Sequence, residues 1–149
     1  MLTLEAKTNI TVREKPSGPK LITPEACAKY LSPMEDMGQE AFVVMTLTTK
    51  NDVIQKHLVS LGTLNSALVH PREVFRVAIM DSAASIILAH NHPSGDPTPS
   101  AEDIKVTRQL VSAGEIMGIK VLDHVVIGSS DENLFQSFLS LREAGLVKF

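Results

Sequence analysis

The stretch from Ala84 to Ala89 (Ala-Ser-Ile-Ile-Leu-Ala) is small or apolar on both alternations of an extended chain. Successive side chains of a strand face opposite sides, so such a strand needs cover on both faces. A sheet open to water on one side is excluded, and a sheet between layers of helix is required. Helix signals flank the stretch. Pro71-Arg72-Glu73 opens a helix running to about Asp81, with Val74, Val77 and Ala78 on one face. Ser100 caps a longer helix ending near Gly118, and Lys120 to Ile127 reads as the next strand. Strands alternating with helices give an α/β layered domain.

The remaining segments fill in this frame. Residues 1–22 form a lead-in, with Thr8 to Arg13 as an edge strand and Pro16, Gly18 and Pro19 in a turn. The domain proper covers residues 23–149. Thr23 caps its first helix, Pro24 suits the first helical position, and Ser32-Pro33 stops it. Ala41 to Leu47 is a buried strand, joined through a turn at Asn51-Asp52 to a second strand, Val53 to Leu61. Near the end, a turn from Gly128 to Asp131 precedes a strand at Leu134 to Phe138 and a short helical turn at Leu141 to Ala144.

Composition removes several classes of function. A net charge of −3 without a long basic run argues against DNA binding driven by bulk charge, and 4% aromatic residues leave few stacking platforms. No apolar run approaches the roughly 20 residues of a membrane helix. The first residues carry no basic and apolar signal pattern, so a cytoplasmic, reducing setting is expected. The single cysteine, Cys27, allows neither an internal disulfide nor a cysteine-rich zinc site.

Chemistry concentrates where the buried strand ends. His90 and His92 lie two apart, so both imidazoles project from one face at its carboxyl end, where open α/β sheets place ligands. Converging imidazoles suit zinc. Asp103 falls on the helical stripe of Val106, Leu110, Ala113 and Met117, and a carboxylate on that buried face is costly unless paired or metal-bound. Two histidines and an aspartate leave one tetrahedral position for water, the open arrangement of catalytic zinc. Ser100 and Asp103 also match a capping box, which alone would explain both residues. Other zinc patterns fail. A deaminase needs His-x-Glu and Pro-Cys-x-x-Cys, a thermolysin-type site needs His-Glu-x-x-His, and His-Asn-His is not the nuclease motif of that name.

His90-Asn91-His92-Pro93-Ser94-Gly95, followed by Pro99-Ser100 and Asp103, resembles the signature of RadC-like JAB/MPN (JAMM) metalloenzyme domains. Seven residues separate His92 from Ser100 and two separate Ser100 from Asp103, as the JAMM pattern requires. Flanking segments such as Gln39-Glu40-Ala41-Phe42 and Leu122-Asp123-His124-Val125 extend the resemblance over roughly residues 20–149. It implies a cytidine-deaminase-like, three-layer α/β/α fold with a mixed central sheet. It also implies a Zn2+ site of His90, His92 and Asp103, with Glu40 as general base and Ser100 as hydrogen-bond donor to the oxyanion. Full-length family members carry an upstream helical, DNA-binding-like region, and no segment of this sequence corresponds to it.

The implied activity is hydrolysis of an amide or isopeptide bond in a peptide substrate. The alternative is a metal-dependent nucleic-acid-processing protein linked to DNA repair, which the acidic balance does not support. A non-catalytic scaffold ranks last, because the full residue set is present. His57 reads as a surface residue and His70 as a helix-entry residue. Asp123-His124 interrupts an apolar strand, either as support for a zinc ligand or as a buried structural pair.

Overall fold

The computed structural model describes residue 16 and residues 18–63, 69–129 and 137–149. Its helices are α1 (Pro24–Tyr30), α2 (Pro71–Met80) and α3 (Ala101–Met117), with a short 3-10 turn at Ser32–Met34. Its strands are β1 (Ala41–Leu47), β2 (Val53–Leu61), β3 (Ser85–Asn91), β4 (Lys120–Ile127) and β5 (Phe138–Ser140). They form one sheet in the order β2-β1-β3-β4-β5. Strand β3 runs antiparallel to β1 and parallel to β4, which makes the sheet mixed.

The two-sided cover demanded by the β3 sequence is present. Ile87 and Ala89 face a core with Cys27 and Leu31 on the α1 side. Ile86 and Leu88 face the opposite core with Val74 and Phe75 of α2 and Val106 and Leu110 of α3. The result is the three-layer α/β/α arrangement. Every residue of β3 is buried, and truncating a core residue such as Leu88 to alanine costs about 2–5 kcal/mol.

Local signals set the helix ends. Thr23 accepts a hydrogen bond from the Ala26 amide at 3.2 Å, and α3 stops at Gly118, whose φ of 69° suits glycine. His70 occupies the N-cap position of α2, as its place before Pro71 suggested, without a side-chain capping bond.

Three local expectations change. Strand β3 continues past the apolar stretch to Asn91, because Phe42 and Val126 flank His90 from both neighbouring strands. Strand β5 begins at Phe138, the last residue of the expected Leu134–Phe138 strand, whose first residues lie outside the described ones. Its position is set by pairing with Val125, Val126 and Ile127. Residues 141–144 form turns closed by bonds such as Ala144 N–H to Ser140 O, too short a run to propagate a helix. The expected edge strand Thr8–Arg13 also lies outside the described residues. Among the described residues no helix is long and apolar enough to cross a membrane.

The loop after β3 is fastened at several points. The His92 amide donates to Ile127 O, the Gly95 amide to His92 O, and the Ser129 amide to Gly95 O, at 2.9–3.0 Å. Gly95 has φ +87°, and a Cβ there would stand 2.3 Å from Ser129 Oγ, so both conformation and space call for glycine.

Candidate metal centre

Four side chains from four places in the sequence meet at the carboxyl end of β3. His90 leaves the strand itself, fully buried, with its ring stacked near Phe42 at a centroid distance of 6.4 Å. His92 follows the strand, and its Nδ1 lies 2.8 Å from Asp96 O. A carbonyl only accepts, so Nδ1 carries the proton and Nε2 faces the cluster. Asp103 comes from the first turn of α3, and Glu40 immediately precedes β1.

The distances define an inner trio and an outer member. His90 Nε2 and His92 Nε2 are 2.9 Å apart, and Asp103 Oδ2 lies 3.3 Å and 3.2 Å from them. Glu40 Oε1 stands farther off, at 3.8 Å and 3.9 Å. One atom from each of the four falls within 4.8 Å of all the others.

This donor set fits a metal ion. Tetrahedral zinc with bonds of 2.0–2.1 Å separates its ligand atoms by about 3.3 Å, close to the spacing of the inner trio. Two imidazole nitrogens facing each other beside two carboxylates also concentrate lone pairs that a cation would satisfy.

The electrostatics follow from the same contacts. The hydrogen bond from His92 to Asp103 raises the His92 pKa above its ordinary value, against a partial loss from burial. Burial opposes ionisation of Asp103, yet the adjoining imidazoles of His90 and His92 outweigh it and hold the carboxyl well below the usual carboxylate range. Of the two roles open to Ser100 and Asp103, the structure shows the cap for both, and Asp103 Oδ2 in addition faces the two histidines. Ser100 Oγ accepts from the Asp103 amide at 3.1 Å, and the Ser100 amide donates to Asp103 Oδ2 at 2.7 Å. Because the cap uses the hydroxyl as acceptor, the Ser100 proton is left for donation elsewhere.

Asp123 and His124 separate onto opposite faces of β4. His124 is buried beneath the centre, with Nε2 2.7 Å from His90 Nδ1 and Nδ1 2.5 Å from Thr107 Oγ1. Burial, reinforced by the neighbouring His90, drives its pKa well below the ordinary histidine value, so it is neutral. Asp123 instead faces the α1 side. It accepts from Ser140 Oγ at 2.5 Å and from the Arg142 amide at 3.2 Å, tying β5 and the C-terminal turns to β4. Of the two readings of this dipeptide, support for a ligand describes His124 and a structural role describes Asp123.

His57 also departs from expectation. It is half-buried rather than a free surface residue, because Asp81 at the end of α2 lies 2.6 Å from its Nε2.

Two residues had escaped the sequence reading. Asn91 alternates to the face opposite its histidine neighbours, accepts from the Ala41 amide at 2.7 Å and donates to Gln39 O at 3.1 Å. It thereby clamps the residues on either side of Glu40. Thr107 lies four residues after Asp103 and so shares its helical face, a spacing that could have identified it.

A family model described as the RadC-like JAB domain matches residues 21–146. A UPF0758 protein of Desulforamulus reducens is 51% identical over 123 residues, covering 83% of this chain and 52% of that protein. UPF0758 proteins of Bacillus cereus strain B4264 and Geobacillus kaustophilus are 54% and 55% identical, covering 83% of this chain and 52% and 53% of theirs. The chain therefore spans about half the length of the curated relatives it matches.

Proposed function

This chain belongs to the RadC-like JAB domain family, and from that premise we propose that it is a zinc-dependent hydrolase of amide or isopeptide bonds. The observation that carries this reading is the convergence of the His90, His92 and Asp103 ligand atoms, with the Glu40 carboxylate about half an ångström farther out. Zinc held by the trio would polarise a carbonyl and lower the pKa of water.

Each remaining step falls to a residue of the chain. Glu40, near the trio without being packed into it, accepts a proton from the attacking water and delivers it to the leaving nitrogen. The Asn91 clamp fixes the backbone on both sides of that carboxylate. Ser100 donates its remaining hydroxyl proton to the oxygen that gains charge as the carbonyl is attacked. A cytoplasmic setting agrees with Cys27, a buried free thiol whose pKa is pushed up to about 12 by burial and then by the charge of Asp123.

The test is a screen of zinc-loaded protein against peptide, isopeptide and nucleic-acid libraries, with Glu40→Gln alongside. Amide cleavage that disappears in the variant supports the reading. Metal-dependent cleavage of nucleic acid alone would replace it with the repair-linked alternative.

A further inference from the structure

The hydrogen bonds behind His90 can be followed proton by proton. Thr107 Oγ1 lies 2.6 Å from the main-chain oxygen of Asp103, one helical turn back. That oxygen can only accept, so the single hydroxyl proton of Thr107 is committed to it. Thr107 Oγ1 also lies 2.5 Å from His124 Nδ1, and with its proton committed it must accept there. His124 therefore carries its proton on Nδ1, and its Nε2 holds a lone pair. Across the next link, His90 Nδ1 lies 2.7 Å from that Nε2, so His90 must be the donor. A neutral His90 with its proton on Nδ1 has a bare Nε2, the atom facing His92, Asp103 and Glu40.

We propose that Thr107 is a positioning residue that, acting through His124, holds the His90 proton on Nδ1 and presents the Nε2 lone pair to a metal ion. The inference rests on the zinc reading for its consequence, but the tautomer it assigns belongs to the metal-free chain. The ring that orients His90 is another imidazole rather than a carboxylate, so its direction depends on which of its own nitrogens is protonated. Thr107 makes that choice. All three side chains are fully buried, which leaves no bulk water to substitute for a missing partner.

Thr107→Val keeps the shape and removes the acceptor, whereas Thr107→Ser keeps the acceptor. Zinc affinity, measured by competition with a chromophoric chelator, is expected to fall roughly 10–100-fold in Thr107→Val and to stay near wild type in Thr107→Ser. Imidazole nitrogen NMR of the metal-free protein at slightly alkaline pH should show the His90 proton on Nδ1 in wild type and Thr107→Ser. In Thr107→Val it should show population of the Nε2–H form. A folded Thr107→Val with wild-type affinity and an unchanged His90 tautomer would overturn the proposal. Should that variant fail to fold, an Nε2–H form of His90 in the wild-type protein overturns it equally. Absence of stoichiometric zinc binding by wild type, with His90 still protonated on Nδ1, would instead defeat the zinc reading and leave the relay standing.

Discussion

On the face of the sheet covered by α2 and α3, two clusters among the described residues bring histidine and carboxylate together. One is His90, His92, Asp103 and Glu40, and the other is His57 with Asp81. The second contains the shorter contact, 2.6 Å against 3.2 Å for His92 and Asp103. Proximity is therefore not what distinguishes a metal centre. At Asp81, Oδ2 receives the imidazole and also the Thr46 hydroxyl at 2.6 Å, so donors meet an acceptor and the group is complete. At His90 the inward atoms are all of acceptor type once their outer nitrogens are engaged, so the group is completed by a proton or by a metal ion.

Breaking each cluster should have different consequences. Asp103→Ala should abolish stoichiometric zinc by elemental analysis, and loss of the capping box should also cost about 1 kcal/mol in chemical denaturation. A variant that keeps its full metal content would remove Asp103 from the ligand set. Glu40→Gln should lower amide cleavage by roughly 10²–10⁴-fold while zinc content stays intact. Joint loss of metal and activity would make Glu40 a ligand instead of a base.

In the metal-free protein, pH should act on His92 and Asp103 in opposite directions. The raised His92 pKa means its contribution to stability is complete below its unfolded value of about 6.5 and disappears as pH rises through the folded value. The depressed Asp103 pKa contributes above about 4 and is lost only in stronger acid. Their joint contribution should peak between about pH 4 and 6.5, and added zinc should raise the melting temperature more at pH 8 than at pH 5. An equal zinc shift at both would show that protons and metal do not compete for this site. The comparison cluster should show the smallest effect on the metal centre. His57→Ala should cost about 1–3 kcal/mol by leaving the buried side of Asp81 short of a partner, with zinc and cleavage unchanged.

Pattern alone located most of the scaffold and the inner residues of the centre. The two-sided apolar stretch at Ala84–Ala89 and the spacing from His90 to Asp103 are local signals, and local signals survive in one dimension. The pairing of His57 with Asp81 joins residues 24 apart, and His124 reaches His90 across 34. Neither distance corresponds to a helical or strand period, so no periodicity announces them. The extension of β5 to Ser140 is hidden from pattern for the same reason, since its register depends on β4 and on the Asp123–Ser140 bond.

The glycine that lets the loop after His92 lie against Ser129 has a consequence for how an ion would enter and leave. With Gly95 fastened from both sides by main-chain hydrogen bonds and each face of the sheet packed on side chains, neither this loop nor the cores draw on an ion for their contacts. A metal ion held at His92 would then have little of the chain left to order. A chelator should withdraw the ion from a protein that remains folded, and the same ion should return without a slow refolding phase.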